Sequence, residues 1–189
     1  MSITDRRIQF AVAVGRIVIG IIFLWAGLDK LIGNQGWTAA GFLGHGTAGT
    51  LGWPFVPDGA KGPFNPTMDF WVSLSKNDAV MSLVNILVVW GEVGIGVSLI
   101  LGLFTRFGAA MGTLMMGLFF VAAWDWAFGI VNQHLTYAVV TAGLAVVGAG
   151  RYLGLDAAFG PQAPRWFRSW FMSGESPEPE PGPGRYASA

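Results

Sequence analysis

The sequence contains no cysteine and few charged side chains. Without cysteine, the chain can form no disulfide and no cysteine-ligated iron–sulfur cluster, and it has no thiol chemistry. Asp, Glu, Lys and Arg together make up 12% of the 189 residues, and the 11 cationic residues balance the 11 anionic ones. A neutral chain has no electrostatic footprint for nucleic acid, so we expect no nucleic-acid partner.

Histidine is also scarce, because His45 and His134 are the only two. Nothing in their spacing indicates a bis-histidine haem, and the paired Glu-x-x-His units of a carboxylate di-metal site are absent. No glycine-rich phosphate loop occurs between a strand and a helix. We therefore expect no haem, no metal and no iron–sulfur cluster, and any redox chemistry would use a diffusible quinone or the cofactor of a partner.

Hydrophobic residues make up 53% of the chain, and they are concentrated in four long apolar segments. About 20 apolar residues suffice to cross the hydrocarbon core of a bilayer as a helix. We predict an all-α integral membrane protein, an antiparallel bundle of four transmembrane helices within a membrane domain over residues 1–160. The predicted spans are about 8–33, 80–103, 107–129 and 134–150, with a long extracytoplasmic loop between the first and the second.

Three segments outside the spans have distinct compositions. The first loop is rich in Gly and Pro, and within it the spacing of Met68, Trp71 and Leu74 predicts a short helix after Asn65-Pro66, lying in the membrane interface. Residues 161–172 interleave Trp and Phe with Arg, which is typical of an amphipathic segment on a membrane surface. Residues 173–189 are rich in Pro and Glu and are predicted to be a disordered tail.

The arginines of the loops are distributed unevenly between the two sides of the predicted bundle. The side that holds both termini carries seven of them, namely Arg6, Arg7, Arg106, Arg151, Arg165, Arg168 and Arg185. The other side carries Lys30, Lys61 and Lys76 among acidic residues. The positive-inside rule therefore predicts a multi-pass protein of the cytoplasmic (plasma) membrane with both termini in the cytoplasm.

One carboxylate, Glu92, lies at the centre of the second predicted span, where an unpaired charge costs about 2.5 to 3.5 kcal/mol. Arg16 lies about 13 Å along the first span from Arg7, and Glu92 lies about 16 Å before Leu103. These depths predict an ion pair between Arg16 and Glu92 inside the bundle. Two roles remain open: a structural clasp, or a site for protons and a quinone carbonyl, with Trp90 as a further cofactor-binding residue.

A second group of polar residues is predicted at the outer end of the bundle. Asp29 and Lys30 end the first span, Asp125 ends the third, and His134, whose imidazole titrates near neutral pH when unperturbed, opens the fourth. With Trp37 they are candidates for an outward-facing site: Arg16, Glu92, Asp125 and His134 as catalytic residues, and Lys30, Asp29, Trp37 and His134 as substrate-binding residues. The alternative is an aromatic belt with an interfacial histidine and no site.

Several stretches of the sequence resemble the DoxX-like membrane proteins, and among them the DoxD branch. The first span contains Val14-Gly15-Arg16 and FLWAGLDKL over residues 23–31, and GWTAAGFL follows over residues 36–43. The second contains Trp90-Gly91-Glu92 and is followed by a turn in LGLFTR over residues 101–106. The resemblance covers residues 10 to about 155, and the long first loop favours the DoxD branch.

The resemblance implies a function as a subunit of thiosulfate:quinone oxidoreductase, which oxidises two thiosulfates to tetrathionate and passes the electrons to quinone. On this hypothesis Lys30, His134 and Lys61 would be electrostatic contacts of the thiosulfate dianion, and Arg16 and Glu92 would hydrogen-bond the quinone oxygens or carry protons. The alternative function is a non-catalytic subunit of a larger respiratory membrane complex, and whether the chain is itself an enzyme stays open. Expected partners are membrane lipid and either a DoxA-like subunit, a respiratory complex or further copies of this chain.

Overall fold

A computed structural model of the protein describes residues 5–33, 36–45, 65, 67–123 and 131–173. Throughout these ranges the regular secondary structure is helical, with no strand. The eight α-helices are α1 Arg6–Leu28, α2 Ala39–His45, α3 Met68–Ser75, α4 Asp78–Leu101, α5 Thr105–Ala122, α6 Gln133–Val147, α7 Leu155–Phe159 and α8 Arg165–Phe171.

Three helical segments are long and apolar enough to cross a membrane. They are α1 together with the π-helical turn Asp29–Gly33 that continues it, α4, and α5. The apolar helix α6 has 15 residues, fewer than the about 20 that span a bilayer without help. The all-helical membrane fold is therefore confirmed with three candidate spans, whereas the fourth span and the extracytoplasmic loop stay predictions.

Short polar residues and glycines define the ends of the long helices. The side chains of Asn77 and Asn132 accept hydrogen bonds from the first-turn N–H groups of α4 and α6. Gly102 and Gly148 end the same two helices in the left-handed conformation, with φ of 65° and 62°. The turn of residues 102–104, which begins at Gly102, is therefore tight and brings α5 back against α4.

Glycines set the antiparallel register between α1 and α4. A Cβ added at Gly20 would lie 2.9 Å from the backbone nitrogen of Ile100, and one at Gly27 would lie 2.9 Å from that of Val93. A Cβ at Gly96 would similarly collide with the backbone of Leu24. Small residues let membrane helices approach this closely, and only one register places all three glycines at the contact.

Glycines also lie at the contacts of α5 with α4 and with α6. Gly108 of α5 lies against Ser98 of α4, and Gly112 lies against Thr141 of α6, whose hydroxyl is 2.9 Å from that of Thr113. The four long helices therefore pack antiparallel around one apolar core, which contains Phe23, Ile95, Leu99, Met116 and Leu144.

The described part of the first loop packs on the start of α4 and the end of α5. The predicted short helix is confirmed as α3, and its Trp71 joins a second apolar cluster that contains Leu43, Met81 and Ala122. The side-chain amide of Asn65 donates to the carbonyl oxygen of Ala122 at 2.7 Å, where α5 ends. This polar contact fixes the loop over the end of the bundle.

Candidate functional site

Glu92 is paired with Lys30 where the end of α1 lies against the middle of α4. The Lys30 ammonium lies 2.8 Å from Oε2 and 3.0 Å from Oε1 of Glu92, and it also donates to the carbonyl oxygen of Ala26 at 3.2 Å. The Glu92 side chain is 3% exposed and that of Lys30 is 17% exposed. The carboxylate is thus almost inaccessible to solvent, whereas the ammonium is partly accessible.

The predicted ion pair between Arg16 and Glu92 is wrong. The depth estimate took Arg7 and Leu103 as one common edge, but the glycine register makes the first turns of α1 extend past the end of α4. The Arg16 Nη1 atom occupies the space where a Gly102 side chain would begin, and Gly102 lies ten residues along the chain from Glu92, about 15 Å. The two charges are therefore separated by about 15 Å along the bundle.

The local backbone explains how Lys30 reaches Glu92. Lys30 lies in the π-helical turn Asp29–Gly33, and such widened turns are frequent at functional sites. Gly27, one helical turn earlier, leaves room for α4, since a Cβ there would lie 3.1 Å from Cβ of Glu92. The lysine stem therefore runs back along α1 to the carboxylate.

The ring of Trp37 lies next to the pair, and hydrogen bonds of Asn85 hold this part of the chain in place. The Lys30 ammonium lies 5.3 Å from the centroid of the Trp37 ring, within cation–π range. Asn85 of α4 accepts a hydrogen bond from the backbone N–H of Ala39 at 2.8 Å, and its amide donates to the Thr38 hydroxyl at 3.2 Å. These bonds hold the start of α2, and with it Trp37, against α4.

His134 lies against α2 and α5. Its ring packs against Phe42 of α2 and Phe119 of α5, with centroids 6.2 and 5.7 Å away. Its Nδ1 atom is buried and has no hydrogen-bond partner among the described residues. The structure therefore brings Lys30, Trp37 and Glu92 together, whereas the contacts described for His134 are with Phe42 and Phe119 instead.

The remaining candidates are not part of this group. Asp29 is exposed beside Gly33, and Trp90 is 58% exposed on the outside of α4. Asp125 lies outside the described residues, and so do residues 174–189 of the tail predicted over 173–189 and the side chain of His45.

Arg16 belongs to a separate polar cluster, next to Gly102 where α4 ends. It is fully buried, its Nη2 donates to the carbonyl oxygen of Leu153 at 3.2 Å, and its Nε and Nη1 have no hydrogen-bond partner in the described chain. Asp156 is the carboxylate near enough to attract it.

Asp156 is a buried polar residue that the sequence reasoning missed. Its carboxylate accepts hydrogen bonds from the backbone N–H groups of Phe104, Thr105 and Ser173 at 2.8 to 3.1 Å, and its own N–H donates to Gly102. The signal available was an acidic residue in an otherwise apolar, glycine-containing stretch at the arginine-rich end of the chain.

The group formed by Lys30, Trp37 and Glu92 can form hydrogen bonds with a neutral polar ligand. An ammonium donates hydrogen bonds, a carboxylate accepts them, and an aromatic ring lies against the cation. In the part of the chain that the structure describes, no three Asp, Glu or His residues lie close enough to hold a metal ion together. The arrangement is suited to hydrogen bonding and proton exchange.

Comparison with known proteins agrees with the helical membrane architecture. The family model described as DoxX matches residues 11–125, which contain Arg16, Lys30, Trp37 and Glu92. No curated protein matches the chain, and no solved structure matches it. Since the matched segment is more than half of the chain and includes α4, α5 and most of α1, the chain belongs to the DoxX family of membrane proteins.

Proposed function

We propose that the chain is the membrane subunit of a quinone-linked oxidoreductase of the DoxD type, and that Lys30 and Glu92 form its quinone site. The observation that carries this proposal is the ion pair itself. A nearly dry carboxylate bonded to a lysine under an aromatic ring lies within an apolar helix, where ionisable residues are expensive and commonly functional.

The proposed overall reaction is the oxidation of thiosulfate by quinone. Two thiosulfate dianions each lose one electron, and a new sulfur–sulfur bond joins them as tetrathionate. The quinone takes up the two electrons and two protons and leaves as quinol. The chain's own task in this scheme is to bind the quinone oxygens and to handle the protons.

Lys30 and Glu92 have different roles in this scheme. Lys30 donates to a quinone carbonyl, and Glu92 exchanges a proton with the resulting hydroxyl in a general acid–base role. Because Glu92 neutralises Lys30, the pair suits a neutral quinone better than a dianion. We therefore expect thiosulfate to be bound away from the pair, near His134 or on a DoxA-like partner chain.

The proposed setting is the cytoplasmic membrane, with α6 and the turn Ala149–Arg151 crossing as the fourth span. The described arginines of the loops lie at the end that holds the start of α1 and the end of α6, which supports cytoplasmic termini. Partner chains, whether a DoxA-like subunit, a respiratory complex or further copies, would then contact the lipid-facing helices or the loop.

Turnover of the gently extracted protein with its co-purifying chains tests this function. We expect thiosulfate-dependent quinone reduction, measured by the ultraviolet absorbance of the quinone, and a fall of about 100-fold or more in Glu92→Gln, since general acid–base catalysis contributes that much. Asp69→Asn, an exposed carboxylate on α3 at the same end, is the matched control and should keep full activity. Absence of turnover, or full activity of Glu92→Gln, would contradict the proposal.

A non-catalytic accessory subunit is the second candidate, and one observation favours it. Both carboxylate oxygens of Glu92 are already bonded to Lys30, so the pair satisfies itself and can serve as a clasp between α1 and α4. In that case Glu92→Gln should reduce recovery of the partner chains and leave the turnover per assembled complex unchanged.

A further inference from the structure

The outer face of α8 carries two neighbouring rows of side chains. Trp166 and Trp170 lie one helical turn apart and are 67% and 74% exposed. Arg165 and Ser169, also one turn apart and exposed, form the row beside them. Large exposed aromatic residues next to a cation are typical of helices that lie at a membrane surface.

The inner face of α8 is fixed to the bundle, so the exposed rings have a defined direction. The ring of Phe167 packs against Phe104 with centroids 5.6 Å apart, and that of Phe171 packs against Phe107 at 5.3 Å. Beyond the helix, the N–H of Ser173 donates to the Asp156 carboxylate at 3.0 Å. Both ends of α8 are therefore anchored to the start of α5 and to α7.

A second arginine reaches the Arg165 row from α5. Arg106 is exposed, and its Nη1 donates to the carbonyl oxygen of Ser169 at 2.8 Å. A carbonyl oxygen orients the guanidinium without neutralising its charge. Over the described ranges, neither Arg106 nor Arg165 forms an ion pair, so two full positive charges lie beside the two tryptophans.

The surrounding charge favours an anionic partner. Arg6 and Arg7 begin α1 at the same end of the bundle, and the buried carboxylate there, Asp156, is already bonded to backbone N–H groups. Tryptophan concentrates at the level of the lipid headgroups, and arginine binds phosphate through several donors at once. A leaflet that contains anionic phospholipid satisfies both residue types.

We propose that α8 and Arg106 form a binding surface for the headgroups of anionic phospholipids. Arg106 and Arg165 bind the lipid phosphate, while Trp166 and Trp170 insert at the boundary between headgroups and acyl chains. This surface is at the end of the bundle where α1 begins, away from Lys30 at the end of α1, and it is independent of the oxidoreductase reaction.

Quenching of tryptophan fluorescence by brominated lipid tests the surface in the full chain in nanodiscs. The contribution of Trp166 and Trp170 is the difference between the wild type and the Trp166→Phe/Trp170→Phe variant. We expect brominated phosphatidylglycerol to quench this contribution more strongly than brominated phosphatidylcholine at equal mole fraction. Each arginine removed should weaken the apparent association of phosphatidylglycerol by about fivefold, first in Arg165→Gln and then in Arg106→Gln/Arg165→Gln.

Two control variants make the outcome decisive. Arg6→Gln/Arg7→Gln removes the same charge from the same end away from α8 and should keep the preference, and Arg165→Lys should restore it. Arg165→Gln removes no described hydrogen bond, so its effect does not depend on the attachment of α8. Equal quenching by both lipids, equal loss in Arg6→Gln/Arg7→Gln, or no quenching of the two tryptophans, as expected if an acidic protein covered the face, would overturn the proposal.

Discussion

At the scale of single residues, the Lys30 ammonium holds two helices and a loop together. It bonds the Ala26 carbonyl on its own helix and both carboxylate oxygens of Glu92 on α4, and it lies against the Trp37 ring. We predict that Lys30→Met destabilises the protein by about 3 kcal/mol, because it leaves a buried carboxylate without its partner. Reversible unfolding in mixed micelles, followed by circular dichroism, measures this loss.

The double substitution Lys30→Met/Glu92→Leu is the matched control. It removes both charges and leaves apolar side chains of similar size, so we expect it to be more stable than Lys30→Met alone. If the double variant loses as much stability as the two single variants added together, the two residues do not interact in the membrane.

Asp156 is the second residue on which several segments depend. Its carboxylate bonds the N–H groups that open α5 and the N–H of Ser173 after α8. We predict that Asp156→Ala lowers the free energy of unfolding by about 3 kcal/mol, because hydrogen bonds to a charged group are worth about 1.5 to 3 kcal/mol each and are not fully additive. Asp156→Asn, which keeps one acceptor oxygen, should lose less, and thermal unfolding that ranks the two variants in the opposite order would contradict this role.

At the scale of elements, the contact between α1 and α4 depends on glycine. A Cβ at Gly27 would lie 2.9 Å from the Val93 backbone nitrogen, whereas a Cβ at Gly15 on the same helix would meet nothing within 4 Å. We predict that Gly27→Ala destabilises the protein by about 1 to 3 kcal/mol through overpacking. Gly15→Ala should be neutral or stabilising by up to about 1 kcal/mol because alanine favours the helix.

Thermal unfolding of the two alanine variants in one detergent compares them directly. Equal melting temperatures for Gly27→Ala and Gly15→Ala would show that α1 and α4 do not approach each other as closely as the glycine register requires.

Helices were easier to predict from the sequence than their relative heights. Long apolar runs indicated α1, α4 and α5, and the spacing of Met68, Trp71 and Leu74 indicated α3, because burial imposes a period of 3.6 residues on the sequence. The offset between α1 and α4 follows from backbone contacts at glycines, and a hydrophobic run does not reveal which glycine faces which residue. For this reason Glu92 was correctly singled out as needing a partner, while Lys30 was assigned to a different group.

At the scale of the whole molecule, the absence of cysteine makes the proposed topology directly testable. One substitution creates one thiol, at Lys76→Cys before α4 or at Gln162→Cys before α8, and both positions are exposed. With four spans and cytoplasmic termini, an impermeant maleimide should label Lys76→Cys in intact cells and should label Gln162→Cys only after the membrane is opened. Labelling of both positions from outside would contradict the odd number of crossings, three, that this topology places between Lys76 and Gln162.

The buried charges of Arg16 and Glu92 lie at different levels of the bundle, and the described layer between them is poor in ionisable groups. From Glu92 to Gly102, about 15 Å along α4, the facing segments of the described helices carry the hydroxyls of Ser98, Thr113 and Thr141 but no ionisable side chain facing the core. Among the described residues, a proton on Glu92 meets no carboxyl, imidazole or amine side chain that could carry it through this layer. If Glu92 exchanges protons with a quinone as proposed, we therefore expect turnover there to move no charge across the membrane, and any contribution to the protonmotive force to come from the later reoxidation of the quinol.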